Sequence, residues 1–190
     1  MEKVCSFRSK GKVFLLRLTL IFYLIDYSVH ILETCGDLDI LITHPVMTKT
    51  HPELIEIILK KLHEEKFLTH DLTLQKDGSQ KKYLGVCRLL NGDNNANTHR
   101  RLDIIIVPPN EKATALMYFT GSAHFNRSMR LLATKSGMSL SEHALRKNIV
   151  RGGQFKKEKL NRGITLDTPT EESIFEHLGL TYRSPEERNH

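Results

Sequence analysis

The chain has 190 residues, of which 39% are hydrophobic and 26% charged, with a formal net charge of +6. That length suits one ordinary domain or two small subdomains, and the composition excludes a disordered chain. The basic balance favours a polyanionic partner, either nucleic acid or an anionic membrane surface. Three widely spaced cysteines, Cys5, Cys35 and Cys87, with no C-x-x-C, argue against a disulfide scaffold or a zinc site and for a reducing compartment.

The first element is an apolar run, VFLLRLTLIFYLIDYSVHIL, from Val13 to Leu32, behind a basic lead. Arg17 and Asp26 argue against a spanning helix, because each is costly near a bilayer centre. No small-x-small cleavage site follows, which argues against a signal peptide. No membrane partner is expected.

Next comes CGDLDILITHP, Cys35 to Pro45. It reads as a strand, so Asp37 and Asp39 share one face, ~6.5 Å apart along the chain. Leu38, Ile40 and Ile42 take the opposite face and can bury. Two carboxylates this close repel, and ionising both requires a compensating cation. Hard oxygen donors of this kind suit Mg²⁺ or Mn²⁺. Taken alone, the D-x-D is a weak signal that a solvated strand end explains better.

Thr50-His51-Pro52-Glu53 looks like a helix start. Leu54, Ile58 and Leu62, with Ile57 beside them, form one apolar face that ends near Lys66. FLTHDLTLQ alternates as a strand, Asp77-Gly78 supplies a turn, KYLGVCRLL reads as the next strand and NGDNNANTH as a polar loop. RRLDIIIVPP returns to strand character, again led by an acid, Asp103. Arg101 lies two residues earlier on the same face and could hold a carboxylate in place. If the two acid-led strands are neighbours, three carboxylates converge and can hold two metals about 3.5–4 Å apart.

Residues 111–119 and 123–135 then read as two helices broken at TGS, with Gly137 closing the second. RGGQFKKEKLNRG reads as a basic loop. TPTEESIFEHLG reads as a helix capped by Thr168, with Pro169 in its first turn, Glu171 completing the capping box and Gly179 stopping it. The order, a mixed or antiparallel sheet with flanking helices and then a mainly helical part, gives an α+β fold.

The helical part carries a second constellation, YFTGSAHFNRSMR. Tyr118 and Phe119 beside Gly121 can form a platform for a sugar and base. Asn126 is a hydrogen-bonder to a base edge or groove, and Arg127 and Arg130, three apart, can neutralise phosphate or face a template strand. Phe119, Phe125 and Met129 also read as core, and for Phe125 the core reading is the better one.

Together, TCGDLDILITHP, HRRLDIIIVPP, MYFTGSAHFNRSMRLLATKSGMSLSEHAL and TPTEESIFEHLGLTYRSPEER resemble the family X DNA polymerases, the lambda type first and the beta type more distantly. The resemblance runs from Thr34 to about Arg188. It implies a nucleotidyltransferase palm at 34–109 and a nucleotide-selecting C-terminal subdomain at 110–190. It makes Asp37, Asp39 and Asp103 the catalytic ligands of two Mg²⁺ or Mn²⁺ ions, with Asp103 the acceptor near a primer 3′-hydroxyl and Arg101 behind it. Tyr118 and Phe119 would lie under the incoming sugar, with Gly121 and Ser122 in a tight cis turn. Ala123 and Asn126 would contact the base, and Gly36 the nucleotide. Arg127, Arg130 and Glu142 would stand on the DNA template side. The implied partners are gapped or primer-template DNA, a dNTP, and end-joining or base-excision repair proteins, in the nucleus.

The departures carry expectations too. No amino-terminal lyase domain or helix-hairpin-helix clamp is recognisable, so lyase chemistry and much of the grip on downstream DNA are expected to be absent. The family's phosphate loop is not found just before the aspartates. CSFRSKGK at Cys5 to Lys12 resembles it imperfectly, with Ser6 and Arg8 the nucleotide-binding candidates. Residues 13–33 would then be an insertion splitting that loop from its aspartates. The functional expectation is templated DNA synthesis. The alternatives are a catalytically impaired DNA-binding fragment and a template-independent nucleotidyltransferase.

Overall fold

The computed structural model describes residues 21–25, 37–43, 52–73, 82–88, 99–153 and 158–188, with backbone alone for 21–25, 37 and 52–53. The chain divides into two compact units, Met1–Pro109 and Asn110–His190.

The first unit contains β1 (Ile21–Ile25), β2 (Asp37–Thr43), α1 (Pro52–Glu64), β3 (Leu68–Asp71), β4 (Lys82–Arg88) and β5 (His99–Ile106). The strands form one sheet in the order β1-β2-β5-β4-β3. Only β2 and β5 pair in parallel; the other neighbours are antiparallel. A parallel pair needs a long crossover, and the chain between these two strands supplies it with α1 and the β3–β4 hairpin. One sheet face buries Ile42, Leu102, Ile104 and Ile106 against Ile55, Ile58 and Leu59 of α1. Each such side chain contributes ~1.5–3 kcal/mol of transfer free energy. Ile57, expected on the apolar face of α1, is instead 58% exposed. At 100° per residue the buried stripe runs through 55, 58, 59 and 62, and 57 falls outside it.

Residues 21–25 belong to the segment expected to be an insertion. They pair antiparallel with β2, with Leu24 opposite Ile40 and Ile25 opposite Asp39. Among the described residues no helix is long and apolar enough to cross a membrane. The strand expected over FLTHDLTLQ stops at Asp71, because the Leu72 and Thr73 amides both donate to the Leu84 carbonyl and end the ladder. The Tyr83 hydroxyl donates to Asp71 Oδ1, which also meets His63 Nε2 at 3.0 Å. Burial pushes the Asp71 carboxyl up, but the Tyr83 and His63 contacts outweigh it and leave the group below its ordinary value. The expected turn at Asp77-Gly78, the helix cap at Thr50 and most of the NGDNNANTH loop lie outside the described residues.

The second unit holds α2 (Lys112–Thr120), α3 (Ala123–Lys135), β6 (Ser139–Leu140), β7 (Leu145–Lys147), β8 (Arg151–Gly152), β9 (Glu158–Lys159), β10 (Ile164–Thr165) and α4 (Glu171–His177). Its strands form two small sheets, β10-β7-β6 and β8-β9. The sequence pattern shows none of them, since two or three residues are too few for alternation to register. The segment read as a basic loop is therefore partly a hairpin. Met117, Met129, Ala133, Leu145, Ile174 and Phe175 make the core of this unit.

Thr170, not Thr168, caps α4: its hydroxyl accepts from the Ser173 amide at 3.3 Å. Glu171 leaves the capping box and turns inward. There it meets the fully buried Arg188, with Oε1 2.9 Å from Nη1 and Oε2 3.3 Å from Nη2. The guanidinium also donates to Thr120 Oγ1 at 2.8 Å and to the Arg183 carbonyl, and it lies over the Phe125 and Phe175 rings. A buried charge stripped of its partner is strongly destabilising. Glu171→Gln should therefore lower stability by about 3–5 kcal/mol in urea unfolding, whereas a loss under about 1 kcal/mol would show that the pair is not a structural anchor.

Candidate active site

In the first unit, β2 and β5 are in parallel register with Asp39 opposite Asp103 and Asp37 opposite Arg101. Facing residues of paired strands share a sheet face and sit on backbones ~4.8 Å apart. All four positions therefore lie on one face, while Leu38, Ile40, Ile42, Leu102 and Ile104 occupy the other.

Asp103 is 3% exposed. Its carboxylate is held by two cations: Arg101 Nε donates to Oδ1 at 3.1 Å, and Lys82 Nζ lies 3.1 Å from Oδ2. Lys82 reaches it because β4 sets Leu84 opposite Asp103, which puts residue 82 one diagonal step away on the same face. Nothing in the spacing of the sequence signals this lysine, because the β4–β5 register cannot be read from either strand alone. The Arg101 and Lys82 side chains are about half exposed, at 52% and 48%. Both cations thus reach solvent, whereas the carboxylate does not.

Among the described residues no three His, Cys, Asp or Glu side chains form a metal-holding group. Asp37, the third expected ligand, contributes only backbone to the description. The donor chemistry still fits a hard cation. Two carboxylates stand at facing register positions and offer oxygen donors from both strands, and a metal there would displace Lys82 or Arg101 from Asp103. Gly36, Ser6 and Arg8 lie outside the described residues.

The second constellation sits in the second unit, where α2 meets α3. Gly121 and Ser122 are both extended, and among the described residues no peptide bond is cis, so the expected cis turn is not found. The Ser122 hydroxyl turns the chain in trans by accepting from the Phe125 amide at 3.1 Å, and it donates to the Arg188 carbonyl at 3.0 Å. A Cβ on Gly121 would stand 2.6 Å from Phe125 Cδ1 and 3.0 Å from Asn126 Oδ1. Only glycine permits that approach. Asn126 Nδ2 donates to the Tyr118 carbonyl at 2.7 Å, so its amide nitrogen already holds the end of α2.

Tyr118 and Phe119 are half-buried, edge to face at 5.0 Å. Arg130 lies over the Tyr118 ring at 5.0 Å and reaches Glu142 at 3.7 Å. Arg127 and Ala123 are exposed. Phe125 packs on the core and stacks on Phe175 at 6.1 Å, in line with the core reading. Met129 is buried.

Residues 31–109 match the family model of the DNA polymerase beta palm, and residues 115–189 that of the DNA polymerase beta thumb. The chain is 54% identical over 157 residues to DNA polymerase lambda of Rattus norvegicus, covering 82% of this chain and 26% of that protein. It is 31% identical over 166 residues to DNA polymerase lambda of Arabidopsis thaliana, with 82% and 29% covered. It is also 31% identical over 132 residues to the DNA nucleotidylexotransferase of Eulemur macaco, with 70% and 20% covered. The chain thus spans less than a third of the length of these curated relatives.

Lys82 occupies one oxygen of Asp103, so it competes with any cation for that carboxylate. Lys82→Met should leave the fold intact and enlarge the rise in melting temperature that Mn²⁺ produces, because ligand stabilisation grows with affinity. Equal Mn²⁺ shifts in the two proteins would show that the lysine does not compete.

Proposed function

Since the chain belongs to the family X, beta-like DNA polymerases, we propose that it transfers a nucleotide from a dNTP to the 3′-hydroxyl of a templated DNA primer. The observation that carries this reading is the register of Asp39 opposite the buried Asp103. In the reaction the primer 3′-oxygen bonds to the α-phosphorus, the bond to the bridging oxygen breaks, and pyrophosphate leaves.

Asp39 and Asp103, with Asp37, would hold Mg²⁺ or Mn²⁺, which when bound supplies positive charge to the triphosphate and eases ionisation of the hydroxyl. Asp103 takes the hydroxyl proton. Arg101 keeps that carboxylate aimed through its 3.1 Å hydrogen bond. Tyr118 and Phe119 carry the sugar, and the Gly121 turn lets backbone approach it. Asn126, pinned through Nδ2, keeps Oδ1 for the nucleotide. Ala123 lies beside the base, and Arg127, Arg130 and Glu142 face the template strand. Gap filling and end joining in the nucleus are the setting this chemistry suits. Lack of an intact phosphate loop next to β2 supports a second reading, a DNA-binding chain impaired in catalysis, because triphosphate affinity rests on such contacts.

Primer extension with Mg²⁺ or Mn²⁺, with and without template, tests these readings. Template-dependent extension is expected, with Asp103→Ala lowering the rate at least ~10³-fold while DNA binding persists. Unchanged extension by that variant would overturn the assignment of the site. No extension by the natural chain, with DNA still bound, would favour the impaired reading. Extension without template would favour the template-independent one.

A further inference from the structure

The second unit contains a cavity of about 290 Å³ that shares no residue with the α2–α3 turn. Ser139, Arg146, Ile149, Lys159, Asn161 and Arg162 line it, together with Leu160. Three of these side chains are cationic and none is acidic. Among the described residues neither Arg146, Lys159 nor Arg162 has a carboxylate partner within ion-pair distance. Converging cations without counter-charge repel one another, and an anion removes that cost.

The cavity is built rather than incidental. Asn161 clamps its wall: Nδ2 donates to the Asn148 carbonyl at 2.9 Å, and Oδ1 accepts from the Val150 amide at 2.9 Å. Asn148 takes a left-handed φ of 59° to meet it. Gly163 has a φ of 65°, and a Cβ there would collide with Ile149 Cδ1. Lys159 Nζ donates to the buried Ser139 hydroxyl at 2.6 Å, which fixes the ammonium at the cavity wall. Ile149 is buried and Leu160 lies beside it, so the same cavity also offers apolar surface. A volume of this size sits at the small end of ligand clefts.

We infer that this cavity is a phosphate site. Arg146, Lys159 and Arg162 take the phosphate oxygens, and Ile149 and Leu160 take the carbon scaffold attached to it. Arginine offers paired donors to a phosphate, and lysine a point charge. The source is a backbone phosphate of a bound DNA strand, a choice that rests on the polymerase reading. A free polyphosphate has the same chemistry and is separated by experiment.

The test uses the full chain and labelled primer-template DNA, without metal or dNTP, so that its outcome does not depend on catalysis. Binding is measured across a salt series for the natural chain, for Lys159→Gln/Arg162→Gln, and for a charge-matched control, Lys60→Gln/Lys61→Gln on α1. The pocket variant should lose about tenfold in affinity and about one unit of salt slope, as expected when one phosphate contact is lost. The control should change little, and Lys159→Arg should retain binding. Equal losses in both double variants would reduce the effect to net charge and overturn the site. Unchanged DNA binding by the pocket variant would overturn the strand assignment; the site would then give way to a free polyphosphate if titration with inorganic pyrophosphate depended on Lys159, and would fall altogether if it did not. Loss of DNA affinity in a chain that never extends a primer would uphold the site and sink the polymerase reading alone.

Discussion

The parallel pairing of β2 with β5 is the constraint on which the first unit depends. Side chains alternate faces along a strand, so the register that buries Ile40, Ile42, Leu102 and Ile104 also sets Asp39 opposite Asp103. A slip of β2 by one residue would turn Asp39 into the core and Ile40 and Ile42 out. Burying an unpaired carboxylate costs several kcal/mol, more than one misplaced isoleucine. Hydrophobic burial and charge placement thus select the same pairing. So buried an acid as Asp103 is tolerated because Arg101 of the same strand and Lys82, brought in by the β4–β5 register, approach it along the same face.

Arg188 has a comparable role in the second unit. It comes from the far end of the chain, fully buried, and ties α4 to α2 through Glu171 and Thr120. Its carbonyl accepts from Ser122, so the turn between α2 and α3 is fastened to the same point. Gly121 gives that turn its close contact, and Asn126 locks it from the other side. The half-buried Tyr118 and Phe119 are therefore presented from a fixed base. Within this unit the exposed charges, such as Arg130 with Glu142, contribute little to stability. They remain available for recognition.

Much of this was legible in the sequence, for identifiable reasons. The acid-led strands announce themselves because a charge at the mouth of an apolar run is unusual, and the i+2 spacing of Arg101 and Asp103 fixes a shared face. Helices α2 and α3 were legible from the TGS break. Other features depend on pairing that local pattern does not encode. Lys82 meets Asp103 only through the β4–β5 register. Thr170 displaces Thr168 as the cap because Glu171 is drawn to Arg188, seventeen residues away. The small strands of the second unit are shorter than one period of alternation, and Asn161 holds their hairpin through contacts to Asn148 and Val150. The three cations of the phosphate cavity are scattered over residues 146–162 and read singly as solvated charge.

The facing carboxylates are the centre of this description, and binding of Mn²⁺ tests them most directly. Free Mn²⁺ can be counted by electron paramagnetic resonance as it is titrated with the full chain. Specific binding is expected, with Asp39→Asn and Asp103→Asn each weakening it at least about tenfold, as loss of a charged ligand implies. Binding that is absent from the natural chain, or unchanged in both variants, would contradict a metal site at the β2–β5 register.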